Sequence, residues 1–209
     1  HSPECLSTIQ LSATYDTNAE CPTFKRFLHE AFPEDPDQIG LIQEILGYFL
    51  VPITLAQKCF VIQGAAGSGK SVLLLVVNEI LLSPELVSNV SLQALNERFK
   101  TAELYGKLAN IFADLPSQKI EDTGIFKALV GGDYLTVEKK NQPPFSFKSK
   151  ARLLFSCNDL PMNIGDLSDG FYRRLIIIHF AHPISEDKHD PNFLEKLRAE
   201  ADGIFLFAF

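Results

Sequence analysis

The sequence predicts an α/β fold in which a mainly parallel central sheet follows a small helical subdomain. An apolar β-type run at residues 59–63 leads into a glycine-rich turn, and an apolar pattern with helical spacing follows over residues 72–82. Further apolar β-type runs come later in the chain, at residues 107–115, 151–157 and 175–180. Helical patterns separate several of these runs, and strands joined by helical crossovers form parallel sheets.

The composition is that of an ordinary globular protein with a moderate excess of acid. The chain has 209 residues, 46% of them hydrophobic, and a formal net charge of −7. This charge argues against a surface coated for nucleic-acid binding, but it is compatible with a local basic patch. Four cysteines without a C-x-x-C pair favour reduced thiols and a cytoplasmic location. No apolar run reaches the length of a membrane span, so we expect no membrane partner.

Two helices are expected before the glycine-rich turn. Thr23 is the candidate N-cap of the first, and a second apolar helical pattern runs over residues 42–50 until Pro52 ends it. We therefore divide the chain into a lead-in with a helical subdomain, residues 1–52, and a core, residues 53–209. Because the chain closes on an apolar run, we expect a fragment of a longer protein.

The glycine-rich turn fits the phosphate-binding P-loop pattern G-x-x-x-x-G-K-[ST]. Glycines let backbone N–H groups approach phosphate oxygens, and the helix that follows directs its positive end at the same anion. Lys70 can reach the β- and γ-phosphates, and the Ser71 hydroxyl can ligate Mg²⁺. The motif comprises Gly64, Ala65, Ala66, Gly67, Ser68, Gly69, Lys70 and Ser71.

Three further elements are expected downstream. The segment Ser83-Pro84-Glu85 carries a helix-start signal, and Leu92, Leu95 and Phe99 have the spacing of a helix beyond it. Two short β-type runs, 134–138 and 145–147, predict a hairpin. A short helix is predicted over residues 192–201.

Polar residues near the strand ends extend the phosphate site. Asp114 closes one apolar run, where a P-loop NTPase holds its Mg²⁺-associated acid, although a merely solvated acid also fits. Asn158 follows the next run, and its amide can orient a water or bind a γ-phosphate. Arg173 and Arg174 precede the last run, where they suit either an arginine finger for phosphoryl transfer or a surface ion pair.

Residues 127–152 form a basic segment in this acidic chain. They contain six basic and two acidic side chains, a local charge of +4. Lys139 and Lys140 at the hairpin turn, with Lys127 before it, are candidate contacts for a nucleic-acid backbone. A solvated charged turn fits the same charge pattern equally well.

In their order along the chain, these motifs resemble the superfamily 3 helicase domain of phage and plasmid primase-helicases. Among the single motifs only the P-loop is specific, but the ordered series as a whole is specific as well. The resemblance covers roughly residues 20–209. The matching segments are Cys21–Phe24, Phe27–Leu28, Gln43–Tyr48, Gly64–Ser71, Leu104–Asp114, Lys127–Lys140, Leu153–Pro161 and Gly170–Phe180.

The resemblance implies an AAA+-like fold and an ATP-dependent DNA helicase that acts in phage or plasmid replication. ATP and Mg²⁺ would bind between subunits of a homo-oligomeric ring, usually a hexamer. Hydrolysis would drive movement along single-stranded or forked DNA. The setting would be the cytoplasm of a bacterial host, and a primase domain would share the full-length chain.

The same resemblance assigns roles to individual residues. Asp114 takes the acidic strand-end position, and Asn158 is the polar sensor. Arg174, with Arg173 as second choice, would reach the ATP of the neighbouring subunit. The remaining assignments are Lys70 and Ser71 for phosphate and Mg²⁺, and Lys139 and Lys140 for DNA in the channel.

The acidic position departs from the family pattern. Many AAA+ proteins carry two adjacent acids at this strand end, whereas Ala113 and Leu115 flank Asp114 here. Either Asp114 serves alone, or Glu121 or Asp122 supplies the general base.

Two other functions fit the P-loop. A kinase for a small molecule would need an acceptor pocket and a lid, but would not need Asn158 and Arg174. A nucleotide-dependent loader or scaffold would bind ATP and partner proteins without unwinding DNA.

Overall fold

The computed structural model describes residues 9–11, 13–116, 120, 122–160, 169–184 and 190–209. No helix in these ranges is long and apolar enough to cross a membrane. The helices are α1 (Pro22–Ala31), α2 (Pro36–Leu50), α3 (Lys70–Leu75), α4 (Gly124–Gly131), α5 (Asp169–Tyr172), α6 (Phe193–Ala199) and α7 (Ala201–Ala208). The strands are β1 (Cys59–Gly64), β2 (Val87–Ser88), β3 (Ala109–Phe112), β4 (Tyr134–Val137), β5 (Phe145–Lys148), β6 (Arg152–Cys157) and β7 (Leu175–Phe180).

Five strands form one sheet in the order β2–β3–β6–β1–β7. Strand β1 lies between β6 and β7, where Phe60 pairs with Leu154 on one side and Ile176 on the other. Every pairing in this sheet is parallel, which confirms the predicted α/β fold class. As a result, all five strands end at the same edge, and the side chains that follow them are neighbours.

Hydrophobic layers cover both faces of the sheet, as a parallel sheet requires. Successive residues of a strand point to opposite faces, so Phe60 and Ile62 pack with α1, α2 and α3, while Cys59 and Val61 pack with α4 and the β4–β5 hairpin. Phe155 of β6 belongs to the second cluster. The sheet is therefore a rigid support for whatever its strand ends carry.

The two N-terminal helices form as predicted, but the proposed cap of α1 is wrong. Thr23 lies inside the helix, and its backbone N–H donates to the Glu200 carboxylate at 2.9 and 3.0 Å. The N–H of Phe24 donates to the same carboxylate at 3.1 Å. Helix α2 is capped locally, since Asp35 accepts from the Gln38 N–H. The boundary at residue 52 stays a prediction.

The helix predicted after the P-loop is confirmed, with a change of pitch. Helix α3 continues from Val76 to Leu81 as a π-helix, and the Leu82 N–H reaches back five residues to the Val77 carbonyl at 3.1 Å. Such wide turns occur mostly as short insertions in α-helices, often near functional sites.

The helix predicted around Leu92, Leu95 and Phe99 is wrong. The segment forms short 3₁₀ turns, Gln93–Asn96 and Thr101–Leu104, and a buried side chain fixes the backbone just before them. Asn110 of β3 accepts from the Val90 N–H at 2.9 Å and donates to the Val90 carbonyl at 2.8 Å. These bonds hold the chain extended beyond β2.

The β4–β5 hairpin is confirmed as an antiparallel pair, separate from the main sheet. The C-terminal helix predicted over 192–201 forms as α6, then breaks before α7 at Glu200. This break directs the Glu200 carboxylate to the first turn of α1.

Candidate functional site

The P-loop connects β1 to α3 in a backbone path that glycine makes possible. A methyl group added at Gly64 would lie 2.5 Å from the Phe180 carbonyl oxygen and 2.9 Å from Ser68 Oγ, so no side chain fits there. Gly69, immediately before α3, has φ of +94°, in the left-handed region that other residues rarely adopt. The chain thus turns sharply at the carboxyl end of β1, and α3 begins at Lys70.

Lys70 is the central cation of the site. Only 7% of the residue is exposed, and its ammonium donates to the Gly64 carbonyl at 2.6 Å and the Ala65 carbonyl at 2.8 Å. A third bond, of 3.0 Å, goes to the side-chain oxygen of Asn158, which follows β6. The structure therefore brings together two residues that the sequence predicts for the site.

The loop also presents a hydroxyl suited to a phosphate. Ser68 Oγ is buried and has no hydrogen-bond partner among the described residues, although its residue lines an open cavity. A buried polar atom is costly to leave unpaired, so a ligand oxygen at this point would relieve the cost. Together with the glycine-shaped loop, this supports a phosphate group between Ser68 and Lys70. Ser71, the residue expected to ligate Mg²⁺, is exposed and lines the same cavity.

The cavity beside the loop measures about 750 Å³ and is large enough for a nucleotide. Its walls away from the P-loop come from α1 and from the region of α6, which the sequence did not assign to a site. Phe27 and Phe193 are among these residues, with ring centroids 5.9 Å apart. Phe27 belongs to the segment Phe27–Leu28 that matches the helicase family, but the sequence assigns it no role in a site. The described lining residues outside the loop are Arg26, Phe27, Glu30, Val72, Ile184, Asp190, Pro191, Phe193 and Leu194.

Asp114 lies at the same edge of the sheet, two residues after β3 ends. It is exposed, with φ of +52°, and its backbone N–H donates to Ser156 Oγ on β6 at 3.3 Å. Burial raises the pKa of the nearby Cys157 thiol, while Lys70 lowers it and Asp159 and Asp114 raise it. The thiol therefore lies within electrostatic range of both Lys70 and Asp114.

The structure describes only one of the two acids that were alternatives to Asp114 as general base. Asp122 Oδ1 accepts from the Gly124 N–H at 2.7 Å, which engages this carboxylate at the start of α4. Glu121 lies outside the described residues. The role of Asp114 thus stays a prediction, as does the identity of the general base.

Arg173 and Arg174 lie at the opposite edge of the sheet. They precede β7, where Leu175 pairs with Cys59 at the start of β1, whereas the P-loop follows the end of β1. Six residues of strand separate the two ends, roughly 20 Å. Arg174 Nη1 donates to the Gly170 carbonyl, and Arg173 is exposed. The structure therefore does not bring either arginine to the P-loop of its own chain.

The hairpin turn carries its lysines in two environments. The Lys139 ammonium lies over two rings, 5.5 Å from the centroid of Tyr105 and 5.8 Å from that of Phe145. Lys140 is exposed at the turn. The acid beside them, Glu138, forms an ion pair with Arg98. The third predicted contact, Lys127, lies on α4 and outside the hairpin.

One member of the basic segment is not on the surface. Arg152 is 2% exposed, and its guanidinium donates to the carbonyls of Phe49 and Lys150 and lies over the rings of Tyr48 and Phe49. Burial lowers its pKa to about 10. Counting Arg152 in a basic surface was therefore wrong, because this side chain holds the C-terminal end of α2 against β6.

Comparison with known proteins identifies one family and two kinds of relative. The model of a family described as a family of unknown function, DUF5906, matches residues 62–174. A protein of Acanthamoeba polyphaga mimivirus, named "Putative helicase L207/L206", is 26% identical over 188 residues, which make up 85% of this chain and 19% of that protein. The chain therefore spans about a fifth of the length of this relative.

Solved structures of the NrS-1 C-terminal region share the fold. One apo structure superimposes with a TM-score of 0.74 at 18% identity and covers 94% of this chain and 47% of that one. Another gives a TM-score of 0.72 at 17% identity, with 95% and 47% coverage. The chain thus spans just under half of these structures, and at such identities the likeness concerns the fold alone.

Proposed function

The chain belongs to DUF5906, a family of unknown function, and we propose that it is the motor domain of an ATP-dependent DNA helicase of the superfamily 3 type. The observation that carries the proposal is the contact between Lys70 and Asn158 beside a nucleotide-sized cavity. A P-loop lysine that is hydrogen-bonded to a polar residue after the neighbouring strand of the sheet can bind a nucleotide and respond to its γ-phosphate. The mimivirus relative named as a helicase supports the choice among P-loop activities.

In the proposed mechanism, Lys70 exchanges its bonds to the Gly64 and Ala65 carbonyls for oxygens of the β- and γ-phosphates. Ser68 Oγ and the N–H groups of the loop donate to the same phosphates. Mg²⁺, held by Ser71 and Asp114, would neutralise charge that develops during hydrolysis. Asn158, once released from Lys70, orients the attacking water or contacts the γ-phosphate.

The site needs a neighbour to be complete. The proposed arginine finger, Arg174, lies roughly 20 Å from the P-loop of its own chain. In a head-to-tail ring, the same residue would face the cavity of the next subunit, because heterologous contacts join opposite faces of successive copies. Ring assembly, a role in phage or plasmid replication and an attached primase domain stay predictions from the resemblance.

DNA contact is assigned to the hairpin turn. Lys140 is exposed, and Lys139 is oriented by two aromatic rings, so both cations are presented at one end of β4 and β5. We assign a supporting role to Lys127, which is half-buried on the preceding α4. We expect nucleotide-dependent movement of this turn to pull one strand.

The experiment that tests the function is ATP hydrolysis by the full-length protein with and without single-stranded DNA. The rate should rise several-fold with DNA, and Lys70→Ala should abolish it. A hydrolysis rate that does not change with single-stranded DNA would overturn the helicase proposal. Phosphoryl transfer to a small molecule by the monomer would overturn it as well.

A further inference from the structure

The outer face of the β4–β5 hairpin combines an exposed aromatic ring with cations and hydroxyls. Tyr134 is 78% exposed, at the start of β4. Lys148 is its direct partner on β5, and the next outward-facing pair is Thr136 and Ser146. All four side chains are exposed and share one face, because alternate residues of a strand point the same way.

The inner face of the same hairpin is fixed against the protein. Leu135 and Phe147 are buried there, and the Tyr105 ring packs at 5.1 Å from Phe145 and 5.5 Å from Phe147, measured between centroids. An ion pair also joins Glu138, directly after β4, to Arg98 in the chain segment that precedes Tyr105. The outer face is therefore presented on a supported two-stranded platform.

The charge on and beside this face matches a polyanion. Lys148 and Lys150 are exposed, and Lys140 extends the positive charge to the turn. Glu138 is neutralised by Arg98. Asp133 precedes Tyr134, but its carboxylate lies beside Gly131. A methyl group added at Gly131 would be 3.5 Å from Asp133 Oδ2 and 4.0 Å from Arg174 Nη2. The positive charge is thus a local feature of a chain whose net charge is −7.

We propose that this outer face binds single-stranded nucleic acid, with Tyr134 stacking on an unpaired base and Lys148 contacting the adjacent phosphate. Cross-strand partners have Cβ atoms about 5 Å apart, so the ring and the ammonium can engage the same nucleotide. A ring that stacks on a base requires an unpaired strand, since bases in a duplex present no free face. The hydroxyls of Thr136 and Ser146, whose oxygens are 2.9 Å apart, can bind the next backbone group. The inference rests on the proposed function and adds a base-stacking residue that the hairpin lysines do not provide.

Fluorescence anisotropy with the full-length protein and a non-hydrolysable ATP analogue tests the inference. The probes are a labelled oligothymidylate and an abasic strand of the same length. The wild type should bind the oligothymidylate about tenfold more tightly, the range for one stacked base. Tyr134→Ala should lose this preference, Tyr134→Phe should keep it, and Tyr15→Ala, which alters an exposed ring elsewhere, should also keep it.

A salt titration tests the phosphate contact. Lys148→Gln should lower the slope of log K against log salt by about 0.7, the value for one phosphate of a single strand, whereas Lys25→Gln should leave it unchanged. If Tyr134→Ala retains the preference for bases, the stacking proposal is wrong while the helicase proposal stands. If the wild type binds neither strand, both are wrong.

Discussion

The ammonium of Lys70 and the side-chain oxygen of Asn158 are joined by a hydrogen bond of 3.0 Å, across two neighbouring strands of the sheet. Lys70 follows β1 and Asn158 follows β6, so the bond joins the segments that come after two paired strands. In the proposed mechanism Asn158 has two states, because it either accepts the hydrogen bond from Lys70 or is released when the phosphates of a nucleotide take the lysine.

Replacing Asn158 should affect hydrolysis more than binding. Asn158→Ala removes the polar group proposed to orient the attacking water, so kcat should fall about 100-fold, as for loss of one oriented polar group. The affinity for ATP should change little, because the P-loop contacts remain. Steady-state kinetics and nucleotide titration measure the two effects separately. A large loss of affinity with unchanged kcat would place Asn158 in ground-state binding instead.

Arg174 and Lys70 should complement each other between subunits. Arg174→Ala alone should lower kcat about 10³-fold if it is an arginine finger, with Arg173→Ala much milder. Mixing Arg174→Ala subunits with Lys70→Ala subunits should restore part of the activity, because some interfaces then carry an intact Lys70 and an intact Arg174. A mixture no more active than its components would show that Arg174 does not act across an interface.

The hairpin lysines should make a salt-dependent contribution to DNA binding. Replacing both Lys139 and Lys140 by Gln should weaken binding and lower the slope of log K against log salt by about 1.4, or 0.7 for each phosphate contact. Lys140→Gln alone should account for about half of this. The matched control is Lys25→Gln, an exposed cation on α1. Unchanged DNA affinity in the double variant would refute the hairpin assignment.

Glu200 should stabilise the fold through α1. Its carboxylate accepts the N–H groups of Thr23 and Phe24, so it caps a helix from a distant part of the chain. Glu200→Ala should lower the free energy of unfolding by about 1–2 kcal/mol, the usual value of an N-cap, and Glu200→Gln by less. Urea denaturation measures both variants. Equal stability of Glu200→Ala and the wild type would mean that water replaces the cap without cost.

Much of the site was predictable because parallel strands end at a common edge. The positions of Lys70 and Asn158 follow from strand ends that are visible as apolar runs in the sequence. Their direct contact depends on β6 lying beside β1, and local patterns contain no information on strand order. The cavity wall is even harder to predict from local patterns, since Phe27 and Phe193 meet only because α1 packs on α6.

The burial of a charged residue and the cap of α1 were also hard to predict, because both depend on contacts between distant parts of the chain. Arg152 carries the sequence signature of a surface cation, yet it is buried where β6 meets α2, with its guanidinium over the rings of Tyr48 and Phe49. Thr23 has the local chemistry of an N-cap, but Glu200 takes that role from the break between α6 and α7. In both instances a tertiary contact overrides a local preference, and only the assembled fold reveals it.

Strand displacement on a forked duplex tests the central claim most directly. The assay uses the full-length protein with ATP, a labelled fork and the Lys70→Ala variant as control. The proposal predicts that the wild type separates the strands only when ATP is hydrolysed, and that Lys70→Ala leaves the fork intact. A wild-type protein that binds ATP and assembles on the fork, yet never separates its strands, would contradict the helicase assignment and favour a loader or scaffold.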